Sequence, residues 1–118
     1  GVFGLPLKIV IHGYDYPVPD GRGATFGPQR PKGPWFRPGF WFKGHTNLQR
    51  NRGVVRDLIN RLNDMQVSLV EELELPNLIH VDLRNTLSSV LYENDWDNEL
   101  HPTEAGFRSL ARKIAAAL

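Results

Sequence analysis

The chain has 118 residues, of which 41% are apolar and 23% charged, and a formal net charge of +1. That bounds it to one domain or part of one with an ordinary globular composition; no apolar run approaches the ~18 to 20 residues a bilayer helix needs, and no secretory signal pattern is present. With no cysteine, disulfides, thiolate metal sites and a cysteine nucleophile are excluded, while the cellular compartment stays undetermined. Charge is unevenly distributed. Nine Lys or Arg face one acid, Asp57, between Arg22 and Arg61, and ten acids face one base, Arg84, between Asp64 and Glu104. The two halves should attract each other, or one should face an anionic partner.

The first element is the run LPLKIVIHGYDY. Leu7, Ile9, Val10 and Ile11 are nearly continuous, mostly β-branched and ended by Gly13, which predicts a strand buried on both faces, as in parallel sheets. Residues 17–45 follow, with six Gly and six Pro. That density of breakers predicts a long loop without regular structure, and loops of this length tend to be lids or linkers. From about Asn51 the periodicity changes: Val54, Val55, Leu58, Ile59, Leu62, Met65, Leu69, Val70 and Leu73 recur at helical steps, giving a long amphipathic helix that ends near Pro76. LIHVDL, residues 78–83, reads as a second buried strand. A loop runs to Leu100. The last helix is expected to open with Pro102 at its first position and Glu104 in its first turn, its apolar stripe formed by Phe107, Leu110, Ala111, Ile114 and Leu118.

This order is a right-handed βαβα unit of a parallel α/β sheet. Two strands do not make a stable parallel sheet, so a partner chain, which includes a second copy, should complete it, or the chain is the C-terminal portion of a larger α/β domain. In open α/β sheets ligands bind beyond the carboxyl ends of the strands, which is where residues 84–101 place His101. A catalytic imidazole needs an oxygen partner to fix its tautomer; Asp95, Asp97, Asn98 and Glu99 all lie within six residues of it. Tyr14 and Asp15, at the carboxyl end of the first strand, are candidates for lining a substrate pocket, with turn formation an equal reading. Trp96 should anchor the histidine loop by packing and stands with them as a candidate substrate-binding residue. His12 reads as a satisfied, partly buried histidine, Asp82 as a hydrogen-bonded structural acid, and His45 and His80 as ordinary loop and strand positions. No histidine pair has metal-ligand spacing, so neither metal nor cofactor is expected.

The segment DWDNELHPTEAGFRSLA resembles the last block of the SGNH (GDSL-type) hydrolases, serine esterases and lipases whose final helix follows a D-x-x-H-P motif. The resemblance implies that His101 is the general base. The position that orients it, an aspartate in the family, holds Asn98, and the form W-x-N-E-x-H-P (Trp96, Asn98, Glu99, His101, Pro102) is similar to a bacterial subgroup. In it Asn98 orients His101 through its side-chain carbonyl, or Asp95 or Asp97 takes over. KIVIHGYDYPVPDGR followed by GPW resembles the family's fourth-strand region, and HVDLRNTL the strand before the histidine loop. No GDS-type block is present; Ser68, Ser88, Ser89 and Ser109 lie in none of its contexts, and no G-x-N-D segment occurs. The resemblance therefore implies the C-terminal part of a single three-layer, flavodoxin-like α/β domain, residues 1–118, whose absent N-terminal half holds the serine and the oxyanion donors. Its substrate would be a carboxylic ester, small or lipid, and this chain alone would be inactive.

A rival reading rests on the basic aromatic loop. Arg22, Arg30, Lys32, Arg37 and Lys43 alternate with Phe26, Trp35, Phe36, Phe40, Trp41 and Phe42, a composition that single-stranded nucleic-acid binders use for phosphate attraction and base stacking. The alternative is thus a non-catalytic interaction or single-stranded nucleic-acid-binding module. The apolar excess of the loop favours a pocket cap or a docking face over nucleic acid.

Overall fold

The computed structural model describes residues 4, 7–25 and 31–118. Strand β1 (Ile9–His12) pairs in parallel with β4 (Leu78–Val81), Val10 opposite Ile79 and His12 opposite Val81. Between them lie a two-residue antiparallel ladder, β2 (Ala24–Thr25) with β3 (Pro31–Lys32), a short helix α1 (Arg37–Phe42) and the long helix α2 (Leu48–Leu73). After β4 come α3 (Tyr92–Asp95) and α4 (Glu104–Ala116). The mixed α/β class and the βαβα order are as expected; the loop over residues 17–45 is not structureless.

Because side chains alternate across a strand, β1 and β4 present two different faces. Val10, Ile79 and Val81 join Leu83, Leu87, Trp96, Leu110 and Ile114 in the core on the α4 side. On the other face His80 meets Gln66 of α2 at 3.3 Å, and Gln66 donates to the His12 carbonyl at 3.1 Å. The sheet thus lies between two helices. His12 itself is exposed, its Nδ1 2.8 Å from the Gly13 carbonyl oxygen, rather than partly buried.

Three expectations need correction. The first strand is not buried on both faces: Ile9 is 43% and Leu7 75% exposed, and among the described residues β1 has no neighbour beyond β4. Helix α2 begins earlier than its apolar pattern, at Leu48, because the Asn47 side chain accepts from the Arg50 N–H and caps it. Helix α4 opens after Thr103, whose hydroxyl accepts from the Gly106 N–H, so Pro102 is not its first residue. Pro102 is instead buried, paired with Trp96 in an antiparallel bridge that closes the histidine loop.

The radius of gyration, 17.0 Å, exceeds the ~13 to 14 Å of a compact domain of this length. Much of the apolar pattern of α2 is also left uncovered. Val54, Leu58, Met65, Leu69 and Leu73, steps of four and seven residues that keep to one helix face, are each between 43% and 58% exposed. No described helix is long and apolar enough to cross a membrane.

Candidate functional site

The site is assembled by the loop between β4 and α4. Trp96, 1% exposed, fills the core beneath it, its ring 5.7 Å from that of Tyr14. With so little surface Trp96 cannot touch a ligand, so its role is the anchoring one. Gly106 brings α4 against the loop: a Cβ there would run into the Asp95 carbonyl oxygen and the Pro102 ring. We expect Gly106→Ala to push the histidine loop off the helix and cost about 1 to 3 kcal/mol, read as a fall in midpoint in urea unfolding.

Of the three side chains expected to compete for His101, Asn98 is the partner. Its Oδ1 lies 2.9 Å from His101 Nδ1 and also accepts from the Leu100 and His101 backbone N–H groups, each at 2.9 Å. Backbone N–H groups only donate, so this atom must be the amide oxygen and the amide cannot be reversed. An acceptor facing Nδ1 requires Nδ1–H in the neutral ring, which leaves the lone pair on Nε2. Asn98 is 1% exposed and rigidly held, whereas His101 is exposed. Asp95 and Asp97 do not take over. Asp95 accepts from the Ser88 N–H at 2.7 Å, and Asp97 lies on the surface, 3.3 Å from the Asn98 amide nitrogen. The edge of Trp35 meets the His101 ring at 5.5 Å between centroids.

Two buried carboxylates hold the surrounding loops. Glu99 has no exposed surface and accepts four backbone N–H groups, from Gly21 and Arg37 at one oxygen (2.9 and 3.0 Å) and from Trp35 and Phe36 at the other (2.5 and 2.7 Å). Asp15, 3% exposed, accepts from Tyr16, Asn85, Thr86 and Leu87 at 2.6 to 2.9 Å. It lines a cavity beside the strand ends, but its lone pairs are committed to the turn after β4. Asp15→Ala should therefore destabilise the fold by about 2 to 4 kcal/mol, measured by thermal unfolding, because four donors lose one shared acceptor. Sequence patterns offered nothing for Glu99 beyond its nearness to His101, since its partners lie 62 to 78 residues away.

Tyr14 tethers the site from β1, its hydroxyl donating to the Leu100 carbonyl. Burial pushes its phenol above the ordinary tyrosine value of 10.0. A raised folded value means stability that is complete below the unfolded pKa and lost as pH climbs through the folded one. Tyr14→Phe should thus lose less stability than the parent between pH 9 and 11, measured as melting temperature against pH; Tyr92, also raised by burial, supplies the remaining slope. Asp82, the expected structural acid, is that: Arg84 grips it at 2.8 and 2.9 Å and holds its carboxyl below the usual range.

Among the described residues no group of three His, Asp or Glu side chains is placed to hold a metal ion. Phe26 and Arg30 of the basic aromatic loop lie outside the described residues. Of the rest, Trp41 and Phe42 are 51% and 87% exposed on α1, and Arg37 lies 4.5 Å over the Trp41 ring. Comparison of the chain with protein-family models, with curated proteins and with solved structures returned no match.

Proposed function

We propose that this chain supplies the general base of a serine ester hydrolase of the SGNH type, acting on carboxylic esters that include acylated lipids and sugars. The observation that carries the reading is the contact from His101 Nδ1 to Asn98 Oδ1 at 2.9 Å. It fixes the tautomer in which Nε2 is free to take a proton, on a ring at the carboxyl end of a parallel strand and exposed toward solvent. Asn98 replaces the aspartate of the usual motif as an orienting acceptor without charge. Tyr14 ties the loop to β1, and the Trp35 ring packs against the imidazole at 5.5 Å between centroids.

In this reading the nucleophile and the oxyanion donors belong to further polypeptide. Two features support that: β1 carries no second neighbour among the described residues, and α2 exposes an apolar stripe from Val54 to Leu73. A strand added beside β1 and a surface laid on that stripe would give the parallel sheet the coverage it needs.

The test has two arms. The isolated 118-residue chain, incubated with a serine-directed fluorophosphonate, should remain unlabelled by intact-mass analysis; stoichiometric labelling would overturn the proposal. The full product of the reading frame should turn over p-nitrophenyl esters and be labelled on a serine outside this chain. Unlabelled, inactive full-length protein would be equally damaging.

A further inference from the structure

The uneven charge of the sequence is not absorbed by the histidine site. Three ion pairs are local, Arg22 with Asp20, Arg84 with Asp82 and Arg108 with Glu104, and none of these three joins the basic segment to the acidic one. Two of the cations left without a carboxylate, Arg52 and Arg56, lie one turn apart on α2 and line a cavity of about 330 Å³. Its other walls come from the segments that follow β1 and β4, including Asp15, Asn85, Ser88 and Ser89. It therefore opens beyond the carboxyl ends of both strands, where open α/β sheets bind their ligands.

Both guanidinium groups are held in place. Arg56 lies 3.9 Å over the Tyr16 ring, whose hydroxyl is fixed to Asn60 Oδ1 at 2.6 Å. Arg52 lies 5.3 Å over the Tyr92 ring and donates from Nη2 to the Ser89 carbonyl at 2.7 Å. Stacking on a ring fixes the plane of a guanidinium and leaves its edge donors to a ligand. The one carboxylate in the wall, Asp15, is taken up by its four backbone N–H partners. Ser88 Oγ accepts from the Leu91 N–H at 2.9 Å, so its hydrogen remains to be donated. The cavity thus holds two positive forks and at least one hydroxyl donor against a single charge already solvated by the backbone.

We propose that this cavity is a binding site for a phosphoryl group, either free phosphate or the head of a small phosphomonoester. A tetrahedral oxyanion can accept from both forks and from a hydroxyl at once, which a two-oxygen carboxylate cannot do as fully. The volume leaves room for a small organic group beside the phosphoryl oxygens. The proposal does not rest on the hydrolase reading and would survive its failure.

Inorganic phosphate and phenyl phosphate, each titrated calorimetrically into the 118-residue chain at low ionic strength, test it. Saturable binding of at least one is expected, with equal affinity for both identifying free phosphate as the ligand and tighter phenyl phosphate identifying a monoester. Arg56 makes no hydrogen bond to the described protein, so Arg56→Gln should keep the fold, checked by circular dichroism, yet weaken binding about tenfold. Arg52→Gln/Arg56→Gln should abolish it, and Arg61→Gln, exposed on the same helix, should leave it unchanged. No heat with either probe, or unchanged affinity in a folded Arg56→Gln chain, would overturn the assignment.

Discussion

Replacing Glu99 with alanine should destabilise this chain more than Asp15→Ala or Gly106→Ala does. The carboxylate is wholly buried and is the shared acceptor for the N–H groups of Gly21, Trp35, Phe36 and Arg37. Three of those donors are consecutive and stand at the start of α1, where a helix has N–H groups without intrahelical partners and a positive dipole end. Glu99 therefore caps α1 from a distant loop and ties the Gly21 turn to the same point. Its removal leaves four donors in a space too closed for each to find water. Each unsatisfied group costs about 1 to 3 kcal/mol, and because they relax together the total should be about 3 to 5 kcal/mol. That is a large part of the ~5 to 15 kcal/mol a domain has in all. Glu99→Gln should recover only part of the loss, since one amide oxygen replaces two carboxylate oxygens and the NH₂ faces donors. Chemical unfolding gives the stability, and limited trypsin digestion gives the location, with cleavage after Arg22 and Lys32 accelerating first. A Glu99→Ala chain as stable and as resistant as the parent would show that the four bonds add nothing.

This dependence explains what could be read from the sequence. β1, α2, β4 and α4 were legible because each is an apolar pattern with a period, and periodicity survives whatever the rest of the chain does. His101 and Asn98 were legible because their contact is local, three residues apart before a helix. Helix α1 was not. Its sequence RPGFWF contains Pro38 and Gly39, weak helix material with no side-chain cap of its own. It forms where a carboxylate from residue 99 satisfies its first donors, and no local signal announces a partner 62 residues distant. The start of α4 differs from the expected one for another reason. Pro at the first helical position is a sound rule, but Thr103 offers the stronger cap, and Pro102 is held out of the helix by its bridge to Trp96. The capping preference of threonine is equally local and outweighs the proline preference here. The half-exposed first strand was not foreseeable, because an apolar run reports what wants burial and not whether a neighbour is present to provide it.

The second large effect concerns the chemistry. In the assembled hydrolase proposed above, His101→Ala should lower kcat for an ester by about 10⁴-fold with little change in KM, since a proton acceptor acts in the transition state and not in ground-state binding. Asn98 separates orientation from charge. Its amide oxygen accepts the Nδ1–H of His101 together with two backbone N–H groups, so Asn98→Ala removes the tautomer lock and loosens the loop in one step. Asn98→Asp keeps the acceptor geometry and adds a negative charge beside the imidazolium that forms during proton transfer, which should hold kcat within about tenfold of the parent or raise it. Its cost falls elsewhere. Asp97 lies 3.3 Å from the Asn98 amide nitrogen, and an aspartate at 98 would turn that hydrogen bond into a repulsion, relieved by a second change, Asp97→Asn. If Asn98 orients the base, activity should order as the Asn98→Asp/Asp97→Asn double variant at or above Asn98→Asp, with Asn98→Ala far below both. Full activity in a folded Asn98→Ala enzyme would mean that the ring finds its tautomer without this amide. The 2.9 Å contact would then be a feature of the loop and not of the reaction.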